Sequence, residues 1–409
     1  MIVLITEVKG LEVLDSRGNP TVAAEVTLCD KSRAVAIAPS GASTGKFEAH
    51  ELRDGGARYR GKGVKKAVEN INTVIAPMLR QLGTLNQKQI DRELIKLDGT
   101  SNKSHLGANA MLAVSMAVAR AAARHFRVPL YRYLGGISGL KLPTPMMNIL
   151  NGGAHSANNI DIQEFMIVPT VGTFSENLQA GVEVYHALGS VLKAAGKSTG
   201  VGDEGGFSPD LRDDREVIEY IIKGISTAGY TTEQVKIALD VASSEWYDGN
   251  EYCLPKAKLT LTSQELTEKI CTLIKDYPII SVEDGLAEDD YSGWKTMTQK
   301  LAGRTMLVGD DLFVTNPERL KSGIEQGIAN AVLVKLNQIG TLSETLEVIE
   351  MADSNGYIPI ISHRSGETED TFIADLSVAV GAKYIKTGAP CRTDRTSKYN
   401  RLLKIESEL

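Results

Sequence analysis

Residues 279–337 read IISVEDGLAEDDYSGWKTMTQKLAGRTMLVGDDLFVTNPERLKSGIEQGIANAVLVKLN. Three short apolar runs, IISVE, MLVGD and AVLVK, each end on an ionisable residue and are separated by stretches with helical spacing of apolar positions. A strand without polar alternation is covered on both faces, and helices between such strands point to a parallel α/β sheet. The same texture extends in both directions. It predicts strands at 146–150, 165–169, 237–241, 279–283, 306–309, 331–336, 358–362 and 384–387. Eight is the number that closes a barrel. The first two strands follow one another without a helix, and two helical stretches, 175–195 and 215–228, precede the third. The expected fold class is therefore α/β, a TIM-like barrel of ββαα(βα)6 order.

Upstream, residues 1–60 alternate apolar and polar in short runs (VLITEV, TVAAEVTL, SRAVAIA) broken by the turn sequences DSRGNP and PSGASTG. That pattern predicts an antiparallel meander. Helical spacing follows over 62–82, 86–97 and 107–126, the last rich enough in Ala and Met to be buried on most sides. The expected organisation is a small α+β domain, 1–133, ahead of a barrel domain, 138–409.

Composition narrows the function. With 45 Lys+Arg against 51 Asp+Glu the net charge is −6, which offers no basic footprint for nucleic acid or for an anionic membrane surface. The longest apolar run, 110–123, contains Ser115 and Arg120 and is shorter than the roughly 20 residues a bilayer requires. The N-terminal apolar residues stop at Glu7, too early for a secretory core. Four scattered cysteines without a CxxC pair suit a reducing compartment, so a soluble cytoplasmic protein is expected.

In such a barrel the residues at the C-terminal ends of strands face the active site. Those ends carry Asp240, then Glu283 and Asp284, Asp310 and Asp311, Lys335, His363 with Arg364 and Ser365, and Lys386. One aspartate could be a turn or cap residue. Acids on three successive strand ends repel one another unless a cation lies between them. Without a cysteine cluster or an HxxxH spacing the donors are oxygens, which favours Mg²⁺, with Asp240, Glu283 and Asp310 as ligands. Lys335, in an otherwise apolar run, has two readings: an ion pair with those acids, or a general base whose pKa neighbouring cations lower towards neutrality. Glu204, in the loop GDEGGF (202–207), either reaches over the barrel mouth or sits in a helix-linking turn. SGASTGK (40–46) has the wrong glycine spacing for a phosphate loop and reads better as a mobile lid, and GKGVKK (61–66) lacks the last glycine of a dinucleotide site.

The segments SGASTGKFEAHELRD, HSANNIDIQEF, GDEGGFSPDL, ALDVASSEWY, SVEDGLAEDD, VGDDLFVTN, LVKLNQIGTLSET, SHRSGETEDT and IKTGAP resemble the enolase family in order and along nearly the whole chain. The resemblance implies reversible dehydration of 2-phospho-D-glycerate to phosphoenolpyruvate with two Mg²⁺ ions per site, the second arriving with substrate. It implies Lys335 as the base at C2 and Glu204 as the acid at the C3 hydroxyl. Asp240, Glu283 and Asp310 would hold the first ion and Ser43 the second. Arg364 and Ser365 would grip the phosphate and Lys386 the carboxylate, with His155, Gln163, Glu164 and His363 around the substrate.

Two departures concern assembly. Leu11 and Ala23 stand where many enolases have an Arg and an acid that pair across a dimer with residues near the C-terminus, here Asp394 and Lys404. A homodimer or an octamer of dimers is still expected, with apolar contact in place of those pairs. Acid-sugar dehydratases and cycloisomerases, the rivals within the superfamily, place a KxK pair at the end of the second barrel strand, which here reads DIQEFMIVP. A secondary surface-displayed role stays open, although the terminal Leu409 is not the lysine linked to plasminogen capture.

Overall fold

The computed structural model describes residues 4–41, 45–137 and 140–409. An antiparallel sheet comes first: β1 (Ile5–Leu14), β2 (Pro20–Leu28) and β3 (Arg33–Ile37), in that spatial order. The Asp15 carboxylate accepts from the backbone N–H groups of Arg17 and Asn19 at 2.9 and 2.8 Å, which closes the DSRGNP turn. Gly10 lets β1 approach the helical layer, since a Cβ there would lie 3.0 Å from Ile71 Cβ.

Residues 62–82 differ from the single expected helix. They form α1 (Lys65–Asn70), a π-helical turn (Ile71–Ile75) and α2 (Ala76–Leu82). Pro77 has no N–H to give and its ring crowds the preceding turn, so the ladder widens just before it. Then come α3 (Gln87–Asp98), α4 (Ala108–His125) and α5 (Leu130–Gly135). All of α4 except Arg120, Arg124 and His125 is buried. Its alanines bring it close onto β2 and β3.

The second sheet is a closed barrel of β4 (Thr144–Asn151), β5 (Glu164–Pro169), β6 (Val235–Asp240), β9 (Ile279–Glu283), β10 (Met306–Gly309), β11 (Ala331–Val334), β12 (Ile358–Ser362) and β13 (Tyr384–Lys386). A small hairpin, β7 (Tyr252–Leu254) and β8 (Leu259–Leu261), which the sequence reading did not expect, interrupts this series after β6. Helices α6 (Phe174–Ala194) and α7 (Asp214–Thr227) precede β6. The remaining helices are α8 (Ser263–Asp276), α9 (Tyr291–Leu301), α10 (Pro317–Gln326), α11 (Leu336–Ile339), α12 (Leu342–Ser354), α13 (Phe372–Ala379) and α14 (Thr393–Glu406). Met146, Met166, Val308, Leu333 and Ile360 pack together inside the barrel, whose interior is a core and not a channel.

The direction of β5 matters most for function. It pairs antiparallel with both β4 and β6, whereas every other neighbouring pair in the barrel is parallel. Its first residue, not its last, therefore lies at the mouth where the parallel strands end, with Glu164 in register with Asp240.

Candidate active site

Glu164, Asp240 and Glu283 occupy neighbouring strands in one register, Glu164 opposite Asp240 and Asp240 opposite Glu283. Lys386, at the end of β13, reaches across to all three. Its Nζ lies 3.1 Å from Asp240 Oδ2, 2.8 Å from each Glu283 oxygen and 3.2 Å from Glu164 Oε2. Burial alone would lower its pKa, but the surrounding carboxylates raise it well above the ordinary lysine value. Even so, one ammonium does not balance three buried acids. Burial and mutual repulsion hold Glu164 and Glu283 well above the usual carboxylate range.

Asp310 lies just past β10 and is shared differently. One oxygen pairs with Lys335 Nζ, and the other accepts from Gln338 Nε2 at 2.9 Å. Thr315 fixes this arrangement, accepting from the Lys335 N–H at 2.9 Å and donating to Gln338 Oε1 at 2.7 Å. The strand expected at 331–336 stops at Val334, so Lys335 is the junction residue between β11 and α11 and not an interior strand residue. Its pKa is raised: burial pushes it down, and Asp310 pushes it further up. The ion pair with Asp310 is the arrangement the structure shows for Lys335.

Asp284 adopts φ 42°, in the left-handed region, and is buried. That bend turns its carboxylate back to accept from the backbone N–H groups of Asp310 and Asp311 at 3.0 and 2.8 Å. Burial, then Asp311 and Asp310, raise its pKa well above the ordinary value, and Asp311 is pushed up to about 8 by burial and by Asp310. Asp284, Asp310 and Asp311 each bring an oxygen within 4.8 Å of the others, and a ring nitrogen of His155 converges as closely with oxygens of Glu164 and Glu204. Of the expected ligands, Asp240 and Glu283 are paired with Lys386 and Asp310 with Lys335.

Glu204 does reach the mouth. Its Oε2 accepts from Asn148 Nδ2 at 3.0 Å and lies 3.3 Å from His363 Nε2, while Oε1 accepts from Ser365 Oγ at 3.2 Å. Burial pushes its carboxyl up, but His363, with His155 and Arg395 behind it, holds it well below the usual range. His155 bridges towards Glu164 at 3.4 Å and towards Ser365 at 3.4 Å. Gln163 lines the same pocket and donates its backbone N–H to the Asp240 carbonyl at 3.1 Å. Arg364 is paired with Glu48, Nη1 to Oε2 at 2.8 Å and Nη2 to Oε1 at 3.2 Å. Ser43 lies outside the described residues. One pocket thus gathers every other expected residue except Glu283, which meets it through Lys386.

Sequence reading assigned no role to Asn148, Gln338, Glu48 or Arg395. Glu48 lies inside the SGASTGKFEAHELRD segment and Gln338 inside LVKLNQIGTLSET, so position within those segments was the available signal. For Asn148, in the middle of an apolar strand, the signal was one amide where a core residue would be expected.

A closed α/β barrel whose mouth buries acids and lysines together has the form of a barrel-enzyme active site. Residues 5–134 match the family model described as enolase, N-terminal domain, and residues 139–409 match enolase, C-terminal TIM barrel domain. The enolase of a Nitratiruptor species is 56% identical over 409 residues, covering 100% of this chain and 97% of that relative. The chain belongs to the enolase family, and is with it a lyase of the phosphopyruvate hydratase type.

Proposed function

We propose that this chain catalyses the reversible, Mg²⁺-dependent dehydration of 2-phospho-D-glycerate to phosphoenolpyruvate, with Lys335 as the base at C2 and Glu204 as the acid at the C3 hydroxyl. The observation that carries this reading is the excess of acid over ammonium at one barrel mouth, where Glu164, Glu283 and Asp284 are all raised well above the carboxylate range. Such a site fits a hard divalent cation with oxygen donors. Asp240, Glu283, Asp310 and Ser43 would hold Mg²⁺, which supplies positive charge where the substrate carboxylate becomes more negative.

The chain's own groups account for the proton traffic. With Lys335 protonated on Asp310 and Glu204 ionised, the ligand-free site is set for hydration of phosphoenolpyruvate: the ammonium delivers a proton to C2 while the carboxylate takes one from water at C3. Dehydration needs the opposite state, a neutral Lys335 and a protonated Glu204. Drawing Asp310 away from Lys335 removes the partner that keeps the amine charged, and an anionic substrate beside Glu204 raises the pKa of that acid. The Glu48 partner of Arg364 yields to the phosphate in the same exchange of one anion for another. Lys386 and His155 orient the substrate carboxylate end.

Residues 1–133 and 138–409 form the two domains of this reading. It places the protein in glycolysis and gluconeogenesis, in the cytoplasm, as a homodimer or an octamer of dimers, with no nucleic-acid partner. No helix among the described residues is long and apolar enough to cross a membrane. Purified protein with 2-phosphoglycerate and excess Mg²⁺ is expected to generate ultraviolet absorbance from the enol phosphate, and EDTA is expected to abolish it. Absence of that signal at every Mg²⁺ concentration ends the proposal.

A further inference from the structure

Arg395, near the start of α14, is fully buried beneath the barrel mouth. Its Nη1 lies 2.5 Å from His363 Nδ1 and donates to the Arg364 carbonyl at 2.5 Å. Its Nη2 donates to the Ser365 carbonyl at 2.6 Å and the Asp203 carbonyl at 3.3 Å. One side chain therefore ties the loop after β12 to the loop that carries Glu204. Asp394 balances its charge, with Oδ2 2.9 Å from Nε. Gly388, at φ 81°, makes room for the stem, since a Cβ there would lie 2.9 Å from both Arg395 Cδ and the Glu204 carbonyl.

A guanidinium is a donor with no lone pair to offer. The His363 nitrogen facing it must therefore be an acceptor, which leaves a neutral ring with its single proton on Nε2. We propose that Arg395 is a positioning residue that fixes His363 as the Nε2–H tautomer, so that the ring presents an N–H, and never a lone pair, to Glu204. Burial lowers His363 to about 4 against the pull of Glu204, and Arg395 adds to that lowering, in keeping with a neutral ring. The inference deepens the reading of Glu204 as the C3 acid and rests on that reading for its catalytic consequence. Glu204 Oε2 accepts from Asn148 Nδ2 and lies 3.3 Å from His363 Nε2, so the N–H of that ring faces the carboxylate.

The test is ¹⁵N NMR of histidine-labelled protein without substrate. The chain has six histidines, so His363→Gln identifies the resonances. At pH 7 the His363 Nε2 is expected to be bonded to hydrogen and Nδ1 to be bare; a protonated Nδ1, alone or in an imidazolium, overturns the proposal. Arg395→Lys, still a pure donor, keeps that tautomer. Arg395→Met cannot donate, lets the proton redistribute, and lowers kcat about a hundredfold with KM changed less than about threefold. A folded Arg395→Met protein that keeps the wild-type tautomer also overturns it. If this variant does not fold, the wild-type spectrum decides alone. The spectrum needs no turnover, so an inactive protein with the Nε2–H ring would end the proposed reaction while leaving the role of Arg395 in place.

Discussion

Replacing Lys386 by methionine removes the one ammonium that Asp240, Glu283 and Glu164 share and leaves the rest of the barrel wall apolar in shape. All four groups are buried. Removing one partner of a buried ion pair costs about 3–5 kcal/mol, because the remaining charge is left uncompensated. For 409 residues at roughly 2.1 cal/mol/K of unfolding entropy per residue, that loss lowers Tm by about 3–6 °C near pH 8. The pH dependence carries the diagnostic sign. Glu164 and Glu283 have folded pKa values raised above 4.5, so the native state binds more protons than the unfolded chain in the window above 4.5. Stability they contribute is present at low pH and is lost as pH rises through their folded values. Lys386 itself is raised above 10.5, so its contribution is constant from pH 5 to 8. The Lys386→Met deficit is therefore expected to be large at pH 8 and to shrink towards pH 5 as the acids take up protons. Differential scanning calorimetry of both proteins across that range measures it. A variant as stable as wild type at pH 8, or one with the same deficit at both ends, would refute this account of the site's charge balance.

Lys335→Ala is expected to abolish hydrogen exchange at C2 of 2-phosphoglycerate, and Glu204→Gln to spare that exchange while reducing dehydration by about 10²–10⁴-fold; deuterium incorporation followed by mass spectrometry distinguishes them, and the reverse pattern exchanges the two roles. Asp284→Ala leaves the buried N–H of Asp310 and the half-buried N–H of Asp311 without acceptors and is expected to cost about 1–3 kcal/mol, whereas Asp284→Asn, which tolerates the left-handed backbone, costs much less. Equilibrium unfolding in urea gives both values, and equal losses in the two variants contradict the hydrogen-bonding role. For assembly, Leu11 is exposed and apolar while Ala23 is buried within the chain, so neither brings charge to a contact, and exposed pairs contribute only about 0–1 kcal/mol each in any case. Sedimentation is expected to show a dimer whose dissociation hardly responds to salt; monomers appearing as salt rises contradict it.

Much of this architecture is legible along the chain because burial on both faces leaves a local mark. Runs such as IISVE and AVLV are strands within a residue or two of their expected limits, and α4 coincides with its Ala-rich stretch. At 62–82 a covalent feature broke the expected helix, Pro77 with the π-helical turn before it. The hairpin β7–β8 was not read from the sequence. The acids and lysines of the mouth were legible as strand-end residues. Their partners were not, because a sequence orders residues along the chain while an ion pair depends on which strands are neighbours around the ring.

The sequence by itself determined that eight covered strands would close and that acids, Lys335 and Lys386 would stand at their ends, since period and strand length follow from local sterics and from the need to bury apolar side chains. Only the tertiary structure decided how those charges are shared. The reversed direction of β5 brought Glu164 opposite Asp240, and ring closure put Lys386 within reach of both it and Glu283. The fold also carried Arg395 from α14 beneath His363, 32 residues away in the chain. Coulombic and hydrogen-bond energies depend on separations of a few ångströms, and those separations exist only once the ring has closed.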